Sequence, residues 1–208
     1  DILAPLSMAL AAAVGRHPPV AYEEVYKRMP RKKYARYKRA HEQLRLQGGL
    51  ATRAQARIKM FVKIEGIKFS YAKRNPDCRA IQFREPEYTL QLASHIKRAE
   101  HALYALRDVF GFGSGKLFAK NMNPRQRAQA LLEKFRSLPG CKILELDASR
   151  FDAHVNEFIL KWVEHLFWEN TCLGPQIAEL LAWQRDNQGF FRVDDYVQWY
   201  RSKGGRMS

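Results

Sequence analysis

Paired cysteines, long apolar runs and internal repeats are all missing from this chain, and each absence narrows what it can be. Cys78, Cys141 and Cys172 are far apart, with neither a CxxC spacing nor a Cys/His pairing. A disulfide framework and a zinc site are therefore not indicated, and a reducing intracellular setting fits best. The longest apolar stretch, Ile2 to Val14, is interrupted by Pro5 and Ser7. It falls short of the ~20 residues that a membrane-spanning helix needs. Nor does it read as a signal peptide, because Asp1 stands where a basic n-region belongs. His95, His101, His154 and His165 lack ligand spacing and read as ordinary helix residues. No low-complexity tract stands out.

Acidic charge is also short. Lys and Arg total 36 against 21 Asp and Glu, which leaves a net charge of +15 and a pI near 9.9. A polyanionic partner follows, nucleic acid ahead of an anionic membrane surface. At 208 residues, 46% hydrophobic and 12% aromatic, the chain can bury a real core rather than remain disordered. It begins at Asp1 and stops at Ser208, just after the loop-like run Lys203-Gly204-Gly205-Arg206-Met207, so it is expected to belong to something longer.

The pattern along the chain is α+β. Residues 6–14 read as a helix closed by Gly15 and the His17-Pro18-Pro19 break. A second helix is expected from Ala21 to Gln47, ended by Gly48-Gly49. It carries Lys27, Arg28, Arg31, Lys32, Lys33, Arg36, Lys38, Arg39 and Arg45, while Tyr34, Tyr37, His41 and Leu44 turn to a core. Such a cationic surface is either simply solvated or tracks phosphates.

The stretch from Arg53 to Arg84 is more pointed, with nine Lys or Arg against Glu65 and Asp77. Lys59, Phe61 and Lys63 alternate with Met60, Val62 and Ile64, and Arg79, Ile81 and Phe83 alternate with Ala80, Gln82 and Arg84, around a turn at Asn75-Pro76-Asp77. Two basic strands flanking a loop that holds Lys73 and Arg74 would line a channel suited to a triphosphate or a nucleic-acid backbone.

Further on, Tyr88 to Phe110 reads as a helix with Leu90, Leu92, Ile96, Ala99, Leu103, Leu106 and Val109 buried, and Gly111, Gly113 and Gly115 as a connector. A helix over 125–138 starts after Asn123-Pro124 and ends at Pro139-Gly140. Gln176 to Asn187 is a shorter helix, and a β-hairpin straddles Asp194-Asp195.

Lys142 to His154, KILELDASRFDAH, is the stretch the rest is arranged around. Ile143, Leu144 and Leu146 have the composition of a buried strand that ends at Asp147, with Asp152 five residues on. From Val155 the apolar positions 155, 158, 159, 162, 163, 166 and 167 mark an amphipathic helix. A carboxylate at a strand end is well placed to hold a divalent cation. The plainer alternative is that Asp152 caps the next helix and Asp147 is a solvated strand-end acid.

Several separated segments together resemble one family, the RNA-dependent RNA polymerases of tombusviruses and their relatives among positive-strand RNA viruses. They are FVKIEG at Phe61 to Gly66, RAIQFREPEY at Arg79 to Tyr88, LFAKNMN at Leu117 to Asn123, LELDASRFDAHV at Leu144 to Val155, WQRDNQG at Trp183 to Gly189 and GGRMS at Gly204 to Ser208. They occur in the family's order.

The resemblance implies a partial right-hand polymerase fold, with the fingers and the start of the palm present and the thumb and remaining palm absent. Residues 1–115 would be fingers with a basic fingertip ribbon at about 59–84. Residues 116–154 would be the first palm segment, carrying the acidic metal-binding strand, and 155–208 a fingers insertion leading to the serine-glycine loop.

It further implies template-directed ribonucleotidyl transfer for genome replication. Asp147 would be the catalytic ligand of Mg²⁺, with Mn²⁺ as an alternative; two such ions about 3.5 to 4 Å apart stabilise both oxygens of an in-line displacement. Asp152 would accept a hydrogen bond from the incoming ribose and so favour ribonucleotides. Arg79, Lys73, Arg74 and Lys63 would hold the triphosphate, and Ser208 would help position the ribose. Ile81 would pack on the templating base, with Arg84 beside the template.

The partners implied are the RNA template and nascent strand, ribonucleoside triphosphates, viral replication proteins and host membranes, in membrane-associated complexes of the host cytoplasm. A Gly-Asp-Asp element with the second set of metal ligands would lie beyond Ser208. The 208 residues alone are therefore expected to bind RNA weakly and salt-sensitively and to incorporate no nucleotide. Two other readings remain open on the residues themselves: a non-catalytic basic RNA-binding module, and another two-metal enzyme such as a nuclease or reverse transcriptase.

Overall fold

Pro30 divides what the sequence pattern suggests as one helix from Ala21 to Gln47. The computed structural model describes residues 3–63, 80–107, 109, 111, 115–148, 151–193 and 195–204. In it α1 spans Leu3–Val14, α2 Tyr22–Tyr26 and α3 Arg31–Leu46. A proline lacks an N–H and disfavours helical backbone in the residue before it, so the chain turns over 27–29 and Pro30 becomes the N-cap of α3.

The central pillar is α4, Pro86–Ala105, which starts ahead of the expected Tyr88, with Pro86 in its first turn behind Glu85, and stops short of the expected Phe110. Tyr88 and Leu90 enter one apolar cluster with Val25, Tyr26, Ala40, Leu44 and Leu180. Ala99 enters a second with Ala11, Val14, Phe167, Cys172, Ile177 and Leu181. Consecutive residues of α9 (Gln176–Ala182), Leu180 and Leu181, thus feed the two clusters from adjacent positions of one turn.

Apolar spacing does not describe the whole buried face of α4. Gln91, Ser94 and His95 are buried as well, while Leu92, Ile96, Leu103 and Leu106 are half-buried. Gln91 accepts the Ala51 amide at 2.6 Å, and the Ser94 carbonyl accepts from Val20 at 2.9 Å. Loop backbone crosses the helix here, and its N–H and C=O groups need partners.

Four strands form one sheet in the order β2-β1-β3-β4. β1 (Ile58–Val62) and β2 (Ala80–Phe83) pair antiparallel, as the alternating basic stretch anticipates. β3 (Asp186–Val193) lies parallel to β1 and pairs antiparallel with β4 (Tyr196–Lys203), from Asp186↔Lys203 to Val193↔Tyr196. The expected hairpin is there, but it begins earlier than its apolar residues suggest, and α9 stops at Ala182 instead of running to Asn187. Gly189 of β3 is covered by the Tyr200 ring; a Cβ at Gly189 would lie 2.4 Å from Tyr200 Cζ.

After Val155 the helical stretch is not uniform. α7 (Glu157–Ile159) runs into a π-helical turn, Leu160–His165, and then α8 (Leu166–Thr171). The Ser7 hydroxyl of α1 donates to the Val163 carbonyl inside that turn at 2.6 Å. One extra residue in a turn rotates the following side chains by roughly 100° relative to an α-helix. Leu160 and His165 are buried, while Phe158, which precedes that turn, and Trp162 within it, both expected on the core face, are exposed.

The expected strand at 142–147 does not form. Residues 141–148 are irregular, and Ile143, Leu144 and Leu146 are 77%, 77% and 82% exposed. A strand is held by a neighbour's backbone hydrogen bonds, and no described strand lies beside this run. The preceding α5 (Pro124–Ser137) is in the same position. A capping box between Asn123 and Gln126 starts it, yet none of its residues is buried, and Leu131, Leu132 and Phe135 face outward. No helix among the described residues is long and apolar enough to cross a membrane.

Candidate functional site

The pairing of β1 with β2 decides what the basic ribbon presents. Directly opposite residues share a face, so Lys59↔Phe83 and Phe61↔Ile81 gather Lys59, Phe61, Ile81 and Phe83 on one side. Phe61 is 51% exposed and meets Phe83 edge-on at 5.9 Å. Ile81, half-buried, completes a small apolar platform of the kind on which a base can stack. Lys59 anchors the base of the ribbon through its ion pair with Glu85. Lys63 is exposed one residue beyond β1.

Arg84 behaves differently from its neighbours. Expected beside a template, it is only 6% exposed and holds the interior together. Its guanidinium donates to the Ala56 carbonyl and, at 2.6 Å, to Asn187 Oδ1, and it lies over the Tyr88 ring at 5.3 Å. Burial pushes its pKa down, while the Tyr88 and Tyr200 phenols act in the opposite direction. The guanidinium is the last side chain to lose its proton, so the cation stays and is met by neutral acceptors and an aromatic face. Alternation alone put Arg84 opposite to Phe83, but only the packing shows that this side faces inward.

Asp147 is exposed on the irregular run, and among the described residues it makes no hydrogen bond or ion pair. Asp152 is half-buried within α6 (Phe151–His154), in the first helical turn rather than at the N-cap. The capping role belongs to Asn156, whose side chain accepts the Ile159 amide at 3.0 Å. A magnesium ion takes one or two carboxylates and completes its octahedron with water and phosphate oxygens. Asp147 fits as one such ligand. No group of three His, Cys, Asp or Glu among the described residues could hold a metal unaided.

A third feature is the outer surface of α3. Arg31, Lys32, Arg36, Lys38, Arg39 and Arg45 are exposed there, with Glu42 the one acid of that helix. Its inner side is pinned by Ala40 and Leu44 in the core. The cations therefore ride on a rigid support, whether or not they meet a ligand.

Arg79, Arg74, Lys73 and Ser208, expected around the triphosphate and ribose, lie outside the described residues. Two residues that sequence reasoning assigned no role emerge from the packing. Phe61 shares the Ile81 face, and its parity in the strand pattern was a legible signal. Asn187, 1% exposed, bonds to Arg84, Gln184 and Gly204; it lies in the WQRDNQG segment, which marked the stretch without indicating this role.

A family model described as viral RNA dependent RNA polymerase matches residues 1–208. The chain is similar to the RNA-directed RNA polymerase of turnip crinkle virus, 32% identical over 207 residues that make up 96% of this chain and 25% of that protein. It is 30% identical over 207 residues to the RNA-directed RNA polymerase of cucumber necrosis virus, covering 99% of this chain and 24% of that one. The enzyme of the same name from maize chlorotic mottle virus is 34% identical over 155 residues, 74% of this chain and 16% of the relative. The chain spans about a quarter or less of the length of these relatives.

Proposed function

The chain belongs to the viral RNA-dependent RNA polymerases, and on that premise we propose that it is the part of such an enzyme that leads template RNA and ribonucleoside triphosphates to Asp147. The observation that carries this reading is the family match along all of 1–208, together with an Asp147 carboxylate left open to solvent in the LELDASRFDAHV segment.

In this reading the basic ribbon, with Arg79, Lys73, Arg74 and Lys63, attracts and holds the triphosphate. Ile81, joined by Phe61, packs beneath the templating base. Asp152 accepts the hydrogen bond of the ribose 2′-OH, which a deoxyribonucleotide lacks, and Ser208 assists on the sugar. Asp147 is one ligand of Mg²⁺ or Mn²⁺, whose chemistry is to stabilise the attacking and leaving oxygens of the in-line displacement. Arg84 contributes from behind, by fixing β2 to the interior.

The outward apolar residues of α5 and of 143–146 then have a purpose. They are the surface on which further strands of a right-hand palm are laid, supplied by the length of polymerase that this chain does not span. Replication complexes on host cytoplasmic membranes, with viral partner proteins, are the setting that this reading gives the complete enzyme.

The test is Asp147→Ala in the complete polymerase. Nucleotide incorporation falls by ~100-fold or more, in line with losing a group that stabilises transition-state charge, while RNA affinity is kept. Unchanged incorporation would remove Asp147 from the chemistry and the reading with it.

A further inference from the structure

One row of side chains crosses all four strands on the solvent side of the sheet. Lys59 pairs with Phe83 of β2 and with Phe190 of β3, and Phe190 pairs with Trp199 of β4. Paired residues share a face, so Phe83, Lys59, Phe190 and Trp199 stand side by side. At about 4.8 Å per strand the row is ~14 Å long. The opposite face is the packed one, where Ile58, Arg84, Asn187 and Gly189 are buried.

Rings and cations are interleaved along this row. Phe190 and Trp199 lie 5.1 Å apart at 47°, and Phe61 meets Phe83 at the other end. Arg57 sits over the Trp199 ring and Lys59 over the Phe190 ring, each at 6.0 Å. Trp199 is still 55% exposed, and Arg57 and Arg192 are exposed on the same face. Two acids of that face, Glu85 and Asp186, are taken up by Lys59 and Arg201.

The mixture selects among partners. An apolar protein surface laid on Trp199 would strip water from Arg57 and Arg192 and return no countercharge. Single-stranded RNA answers both halves, because an unpaired base offers a π-face to each ring while its phosphates meet the cations. A duplex keeps its bases stacked inside and gives the rings nothing. The net charge of +15 favours the polyanion as well.

We propose that this sheet face is a stacking platform for single-stranded RNA, with Trp199 its outermost ring and Arg57 supporting that ring beside a phosphate. The proposal takes its setting from the polymerase reading above. It carries the RNA contacts beyond the β1–β2 ribbon to the edge strand β4.

The complete polymerase is titrated with a short single-stranded RNA and with an RNA duplex of the same length, as wild type, Trp199→Leu and Trp199→Phe. Trp199→Leu is expected to weaken single-strand binding by ~10-fold, the effect of losing one base-stacking ring. Duplex affinity and the salt slope stay as they were, since no charge is removed. Trp199→Phe keeps a ring and restores most of the affinity. Unchanged single-strand binding in Trp199→Leu overturns the proposal and leaves the face to a protein segment. An equal loss for single strand and duplex overturns it too, since the ring would then only support the sheet.

A measurement on the wild type needs no variant to fold. A single strand carrying 5-iodouridine, irradiated on the complete polymerase, should crosslink to Phe190 or Trp199, and crosslinks found only on other segments refute the platform. A wild-type protein that meets these expectations but incorporates no nucleotide defeats the polymerase reading and leaves the platform standing.

Discussion

The Tyr88 hydroxyl donates to the Leu180 carbonyl across 2.7 Å, joining the first turn of α4 to the last turn of α9. The same oxygen accepts from Gln184 at 2.9 Å. Burial raises the Tyr88 pKa, against the pull of Arg84 and the Gln184 bond, so the phenol remains a donor. This contact sets where α9 ends and where the chain turns toward β3 and Asn187.

Tyr88→Phe keeps the ring and removes only that oxygen, leaving a buried carbonyl without its donor. The expected cost is about 1–3 kcal/mol. Thermal melting of the complete protein and faster hydrogen exchange over 176–184 are the readouts. A variant that melts and exchanges like the wild type would show that the hydrogen bond contributes nothing.

His95 makes stability depend on pH. Burial lowers its pKa below the ordinary value of 6.5, with a backbone hydrogen bond to Leu173 opposing the shift. Above 6.5 the imidazole is neutral both folded and unfolded. On acidification the unfolded chain takes up the proton first, so stability is lost from about pH 6.5 downward through the folded pKa, by at most ~1.4 kcal/mol per unit. Melting temperatures at pH 7.5, 6.5 and 5.5 should fall less steeply in His95→Gln than in the wild type. Parallel slopes would assign the acid sensitivity elsewhere.

The exposed cations of α3 are expected to contact RNA phosphates. Replacing Lys32, Arg36 and Arg39 by Glu in the complete polymerase should weaken RNA binding for every sequence. It should also reduce the slope of log affinity against log salt by about 2, at ~0.7 per phosphate contact on a single strand. A salt titration checks this, and an unchanged slope leaves α3 as a solvated surface.

Local chemistry made much of this protein legible before any coordinates. Alternating residues at 58–62 and 80–83 let the basic ribbon and the parity of Ile81 be read directly, whereas the second neighbour of β1, the distant β3, could not be. Asn123-Pro124 announced its helix, since a cap and a fixed φ act within one turn. The LELDASRFDAHV segment by itself left Asp147 open between a metal ligand and a solvated acid, and only several separated segments taken together favoured the first.

What escaped was whatever depended on distant partners. The strand character of Ile143 to Leu146 needs a neighbour that no local pattern supplies, and in its absence the run is irregular and exposed. A basic residue next to a basic ribbon looks like a ligand contact, yet Arg84 is drawn inward by Asn187, 103 residues away. Asn187 reaches Gly204 only because β3 and β4 fold back on each other. The amino-acid order by itself determined the charge, the pairing of β1 with β2 and the helix start at Asn123, because these depend on neighbouring residues alone. Tertiary structure alone decided which polar side chains face the interior, because a buried hydrogen bond exists only once both of its ends have been brought out of water.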